Sequence, residues 1–214
     1  MVSPLGPPHE APPTYQETKA ETSSRGMTCF FSLPAELREQ IYSELLAIPS
    51  TVTMHPGHQF YRDEAYAVQP PITRVNRLIR SETLPLFYSS NTISAQLDQT
   101  EDLALAKQWL HAIGDSNTRH LRHMSLCGWT KIVFGHMLSS RFVRLDVDLR
   151  KGEIVSGKAG CRGWDDGDGE LSRRVEHLKA AFRAIIDTRG GVPFDVEGVE
   201  ALMDGFARLC NAYV

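Results

Sequence analysis

Histidines are the first residues in this chain whose type and spacing could support chemistry, in this case metal binding. His55 and His58 lie close together in a short polar segment, and imidazole is a common zinc ligand. Zinc takes three or four ligands, and no third ligand stands near this pair, so a polar turn is the favoured interpretation. His111, His120 and His123 could approach one another in space, but an exposed or hydrogen-bonded histidine is the more common case. We therefore expect no metal and no cofactor.

Paired carboxylates are the second candidate. Asp146 and Asp148 lie on one face of a predicted strand, as two catalytic acids would, but Arg144 and Arg150 flank them and favour charge pairing across strands. Residues 164–169 carry the alternating acids of a calcium loop, yet the glycine and glutamate that an EF-hand requires are missing, which favours an acidic linker. No nucleophile elbow and no glycine-rich phosphate loop is present. The sequence predicts a protein that is not an enzyme, and a small enzyme of unknown class is the weakest alternative.

A leucine-proline helix predicted over residues 32–46 offers a different function. Pro34 suits the first helical position, where the missing N–H would have no partner. Leu37, Ile41, Leu45 and Ile48 follow at intervals of four, four and three and form one apolar stripe. Leu33 extends this stripe towards the N-terminus, and Leu46 widens it. This stripe is either part of the core or a surface for a partner.

The same residues carry a family resemblance. Leu33-Pro34-Ala35-Glu36-Leu37, followed by Ile41 and Leu45, resembles the opening of an F-box, and residues 75–93 resemble the second signature of the F-box-like and two-ExR families of filamentous fungi. The resemblance implies a protein-binding surface made of Leu33, Pro34, Leu37, Ile41 and Leu45. It implies a Skp-like adaptor as the partner, and a role in presenting a substrate to a cullin-RING ubiquitin ligase.

Two alternatives involve other features of the chain. Pro12-Pro13-Thr14-Tyr15 resembles the Pro-Pro-x-Tyr ligand of WW domains, which bind an extended polyproline segment, although a plain proline-rich tail is the favoured explanation. The protein could also be a self-contained α+β interaction domain with a buried leucine-proline helix, no ligase role and an unknown partner.

Composition limits the class of partner and the compartment. The 214 residues have a net charge of -3, which argues against nucleic acid as a partner. The apolar runs are too short to span a bilayer, so no membrane association is expected. The N-terminal residues lack the apolar segment of a secretory signal, and the four cysteines are widely spaced. We therefore expect reduced thiols and a cytoplasmic or nuclear protein.

Periodicity predicts an α+β fold with a small antiparallel sheet and a C-terminal helical hairpin, and the resemblance implies that the first helices are F-box-like. We divide the chain into a disordered proline-rich tail (1–27), an F-box-like and two-ExR-like domain (28–129), and a segment that packs on the same core (130–214). The expected elements are a hairpin of strands 51–54 and 59–68, a helix from Pro70 that breaks near Leu84, a helix from Thr100 to Gly114, strands at 117–129, 141–150 and 153–156, and two helices after residue 170.

Overall fold

The computed structural model describes residues 29–48, 51–54, 65–134, 136–159, 169–189 and 194–211. It confirms the α+β class. The chain separates into two compact units, Met1–Pro34 and Ala35–Val214. The described part of the first unit is a 3₁₀ turn over Phe30–Ser32, in which the Ser32 hydroxyl donates to the Cys29 carbonyl at 2.7 Å.

The second unit contains all the longer elements among the described residues. Its helices are α1 (Ala35–Leu46), α2 (Arg77–Ser90), α3 (Thr100–Thr118), α4 (Glu170–Arg189) and α5 (Val196–Cys210), with a 3₁₀ turn at Pro71–Arg74. Its strands are β1 (Val52–Thr53), β2 (Ala65–Tyr66), β3 (Thr92–Gln96), β4 (His123–Phe134), β5 (Met137–Asp148) and β6 (Glu153–Ala159). In the described part of the chain, no helix combines the length and the apolar character needed to cross a membrane.

The sheet is mixed rather than purely antiparallel, with strand order β2-β1-β3-β4-β5-β6. β1 pairs in parallel with both β2 and β3, and β3 pairs in parallel with β4, whereas β4, β5 and β6 form an antiparallel meander. The predicted antiparallel hairpin between residues 51–54 and 59–68 is therefore wrong. An alternating pattern identifies a strand, but it is the same for both directions of pairing, so it could not give the direction.

The core lies between the sheet and the helices, and the clearest sequence patterns point into it. The apolar row of the strand predicted at 141–150 and the apolar stripe of α5 are both buried, as predicted. The row consists of Val143, Leu145, Val147 and Leu149, and the stripe consists of Val199, Leu202, Phe206 and Leu209. α5 packs against α3, α4 and β4. An ion pair between Lys107 and Asp204 at 2.7 Å joins α3 to α5, and His111 Nε2 lies 3.0 Å from Glu200 Oε1 at the same contact.

α2 does not end where proline predicts. It begins after Asn76, whose side chain accepts from the Ile79 amide at 2.8 Å, and continues through Pro85 to Ser90. The predicted break near Leu84 is wrong because the proline removes only one hydrogen bond, the one to the carbonyl of Ser81. Ser81 is exposed, so water can satisfy that carbonyl, while the buried residues on either side of Pro85 hold the helix in place.

α3 is interrupted but not ended by its glycine. Gly114 has φ 72° and ψ 167°, which breaks the helical geometry as the sequence predicts. Helical structure then resumes as far as Thr118, whose hydroxyl donates to the Gly114 carbonyl at 3.0 Å. The predicted end of the helix at Gly114 is thus a kink.

Candidate functional site

α1 is held on the Ala35–Val214 unit by one row of its side chains. Arg38, Tyr42 and Leu46 are spaced by four residues and therefore lie along one side of the helix. Tyr42 is 1% exposed and Leu46 is 2% exposed, and this side packs against α2. The sequence reasoning placed Leu46 with the apolar stripe as a widening of it, whereas the structure places it in the anchoring row.

A salt bridge at the α1–α2 contact fixes the rotation of α1. Arg38 Nη2 lies 2.6 Å from Glu82 Oε1, and Arg38 Nε donates to Glu82 Oε2 at 3.2 Å. The Tyr42 hydroxyl donates to Glu82 Oε2 at 3.0 Å. The hydrogen bond from Arg38 lowers the pKa of Glu82, and burial raises the pKa of Tyr42, so at neutral pH the carboxylate is charged and the phenol keeps its proton.

Glu82 bonds to Arg38 of α1 and not to the arginines that the sequence suggests as its partners. The sequence places Glu82 beside the arginines of its own helix, and we expected it to pair with them on a solvated face. Arg80 instead donates to the side chain of Gln69 at 3.0 Å, and Glu82 bonds across to α1. The contact with Arg38 spans 44 residues of chain, which no local spacing rule detects.

Asn91 fixes the C-terminal end of α1 in a similar way. Its side-chain amide donates to the carbonyls of Leu46 and Phe87 at 3.0 and 2.8 Å, and its side-chain carbonyl accepts from the Ile48 amide at 2.9 Å. Asn91 is only 2% exposed. These three bonds supply partners to backbone groups at the ends of α1 and α2 that the helices themselves leave unpaired.

The predicted apolar stripe lies on the outside of this anchored helix. Leu37, Ile41 and Leu45 are 44%, 40% and 65% exposed. Each precedes a residue of the anchoring row by one position, which turns it by about 100° around the helix axis. The three side chains therefore form a continuous apolar row beside the buried face, and we call this row the α1 stripe.

Acidic side chains accompany the α1 stripe on the exposed surface of α1. Glu36, Glu39 and Glu44 are all exposed. Arg38 is the one basic residue of α1, and its charge is directed at Glu82. The outward surface of α1 is therefore both apolar and negatively charged.

The remaining predicted binding residues are not part of that surface as the structure describes it. Leu33 and Pro34 belong to the Met1–Pro34 unit, where Leu33 is half-buried and Pro34 is exposed. α1 begins at Ala35, one residue after the position we predicted from Pro34. The predicted WW-domain ligand, Pro12, Pro13 and Tyr15, lies outside the described residues.

The residues first considered for chemistry do not assemble into a catalytic or metal site in the part of the chain that the structure describes. There, no group of three His, Cys, Asp or Glu side chains is arranged to hold a metal ion. Asp146 accepts from Arg144 of its own strand at 3.0 Å. Asp148 is buried and accepts from the backbone amides of Arg150 and Lys151, so it stabilises the β5–β6 turn. His55, His58 and residues 164–168 lie outside the described residues.

Among the residues described, the α1 stripe is thus the predicted site whose members the structure brings together. The anchoring row that presents it escaped the sequence reasoning, although the four-residue spacing from Arg38 to Tyr42 and Leu46 was a detectable signal. Comparison of the chain with protein-family models, with curated proteins and with solved structures found no match.

Proposed function

We propose that this protein is a protein-interaction module that docks through the α1 stripe, and that its partner is a Skp-like adaptor of a cullin-RING ubiquitin ligase. One observation carries the proposal. Leu37, Ile41 and Leu45 remain 40–65% exposed on a helix whose other apolar residues are buried. Apolar anchors at intervals of four on one helix face are what a hydrophobic groove binds in helix-in-groove recognition.

The charges around the α1 stripe specify the groove further. Glu36, Glu39 and Glu44 are exposed on the same helix as the three apolar side chains, and the positive charge of Arg38 is already paired. A complementary partner therefore presents an apolar groove with lysine or arginine at its rim. Rim charges of this kind mainly raise the association rate and fix the register of docking.

Such a module acts by proximity. It forms and breaks no covalent bond itself, and it raises the effective concentration of a bound substrate beside the ligase. In this proposal the anchored helix recruits the ligase, and elements after Asn91 hold the substrate.

The alternative is an interaction domain without a ligase role. A self-contained α+β interaction domain requires a buried leucine-proline helix. The exposure of Leu37, Ile41 and Leu45 therefore favours docking through α1 over this alternative. A WW-domain protein that binds Pro12-Pro13-Thr14-Tyr15 is the partner that this alternative names, and Tyr15→Ala would remove that binding without affecting α1.

The direct test is the affinity of the purified chain for a purified Skp-like adaptor, measured by calorimetry. In the variant Leu37→Asp/Ile41→Asp we expect binding to weaken by about a hundredfold or more, because hot-spot residues contribute about 2 kcal/mol or more each. The thermal midpoint should stay close to that of the unmodified chain. The matched control is Leu105→Asp, an apolar residue on α3 that is 45% exposed, and it should bind normally.

Three outcomes contradict the proposal. The unmodified chain fails to bind the adaptor, the control loses as much affinity as the α1 variant, or the α1 variant unfolds and so proves the stripe to be core. Recovery of only a WW-domain protein, lost on Tyr15→Ala, selects the alternative.

A further inference from the structure

A cavity of about 540 Å³ lies in the Ala35–Val214 unit, away from the α1 stripe. It is formed by Ser89 of α2, the residues that follow α3, the turn between β5 and β6, and the C-terminal end of α4 with Phe194. Its volume is in the range of small-molecule sites in proteins.

The charge of the lining is strongly one-sided. Five permanently charged cations line the cavity, and no acidic residue does so among those described: Arg119, Arg122, Arg150, Lys151 and Arg189. The chain as a whole carries a net charge of -3, so this concentration of positive charge is not a reflection of overall composition. Like charges that converge on one concave site repel one another unless an anion joins them.

One of the five cations is already neutralised. Arg189 Nη2 lies 2.7 Å from Asp195 Oδ2, and its guanidinium stands over the ring of Phe194 at 5.5 Å. Arg119, Arg122, Arg150 and Lys151 form no ion pair with any residue that the structure describes. The cavity therefore holds about four positive charges that an anionic ligand would meet.

The backbone beneath these cations is fixed. The Arg119 amide donates to the Asp115 carbonyl at 3.1 Å, and the Leu149 amide donates to the Arg122 carbonyl at 2.8 Å. The buried carboxylate of Asp148 accepts from the amides of Arg150 and Lys151 at 3.0 and 2.9 Å. Because the backbone of these two segments is held in this way, the positions from which four of the cations extend are set before a ligand arrives, which lowers the entropic cost of binding.

We propose that this cavity is a binding site for a small phosphorylated molecule with at least two phosphate groups. Arginine and lysine are the side chains that bind phosphate oxygens, and four of them match the charge of a diphosphate. The concave shape, with a lining that includes the apolar residues Leu121 and Ile186, suits a compact ligand better than an extended nucleic-acid backbone.

The test measures the binding of two probes to the full chain at constant ionic strength, inorganic pyrophosphate and ADP. We expect saturable binding of both, with ADP equal to or tighter than pyrophosphate. In the variant Arg119→Ala/Arg150→Ala, which removes two exposed side chains and keeps the backbone, we expect affinity to fall by about tenfold or more. The matched control is Arg74→Ala/Arg77→Ala, which removes the same charge from exposed positions outside the cavity and should bind as the unmodified chain does.

Four results would overturn the proposal. In the first, neither probe binds saturably at millimolar concentration, and in the second, both double variants lose affinity equally. In the third, the cavity variant unfolds and moderate salt abolishes binding to the unmodified chain. In the fourth, a short DNA duplex displaces the probes and binds more tightly than either. The cavity variant should still bind the Skp-like adaptor, so failure here is separate from failure of the proposed function.

Discussion

At the scale of single residues, two polar side chains determine which side of α1 faces solvent. Glu82 accepts from Arg38 and Tyr42, and Asn91 bonds to backbone groups at the ends of α1 and α2. Buried polar groups need partners, so rotating α1 to bury Leu37 instead would leave the buried amide of Asn91 unpaired at a cost of about 1–3 kcal/mol and would break the Arg38–Glu82 salt bridge. The exposure of the α1 stripe follows from polar contacts more than from its own hydrophobicity.

The Glu82 contact makes a specific contribution to the pH dependence of stability. The hydrogen bond from Arg38 lowers the pKa of Glu82 below its usual value of 4.5. A carboxylate whose pKa is lower in the folded state adds stability that is complete above the unfolded value and is lost as pH falls towards the folded value. We therefore expect Glu82→Gln to flatten part of the fall in the free energy of unfolding between about pH 5 and pH 3, measured by urea denaturation.

The control for this measurement is Glu39→Gln, which removes a charge from the exposed surface of α1 without removing a bond to α2. Asp195, whose pKa is also lowered by its partner Arg189, remains in both variants and sets a common background. Identical pH profiles for the two variants would contradict the contribution that we assign to Glu82.

At the scale of elements, the periodicity of apolar residues predicted burial along single elements, and it did not predict contacts between distant elements. The patterns of β5 and α5 matched their burial because a single apolar row faced a single core. In α1, two neighbouring rows compete, and the sequence pattern identified the more apolar row, which is the exposed one. The parallel pairing of β1, β2 and β3 and the bond from Arg38 to Glu82 depend on contacts between distant residues, which local spacing does not encode.

The proline inside α2 leads to a prediction at the same scale. Pro85→Ala restores an amide that can donate to the Ser81 carbonyl. Proline in a helix interior costs about 3 kcal/mol relative to alanine, and about 1 kcal/mol of that is returned by its restriction of the unfolded chain. We expect the variant to be more stable by about 2 kcal/mol in urea denaturation.

The control is Pro71→Ala, at the first position of the 3₁₀ turn, where proline replaces no hydrogen bond. This variant should gain nothing and lose up to about 1 kcal/mol through the unfolded state. A loss of stability in Pro85→Ala would show that the packing of α2 requires the proline.

At the scale of the whole molecule, both proposed sites belong to the Ala35–Val214 unit. α5 contacts α3, α4 and β4, and α3 carries the tryptophan whose indole donates to the Ala67 carbonyl at 2.8 Å. The docking helix and the cavity are therefore supported by one core, and damage at its centre should affect both.

Phe206 is fully buried on α5, and its replacement tests whether one core supports both the docking helix and the cavity. Phe206→Ala should lower the free energy of unfolding by about 3–5 kcal/mol, because it leaves a cavity in the core, whereas Leu105→Ala on the exposed side of α3 should change it by less than about 0.5 kcal/mol.

In a Trp164→Phe background, fluorescence reports Trp109 on α3 and Trp129 on β4, and far-UV circular dichroism reports the helices. We expect the two signals to give one coincident transition in each protein, as two-state unfolding requires. A fluorescence transition that separates from the helical one would show that the sheet and the helices unfold independently, and the α1 stripe and the cavity would then rest on separate supports.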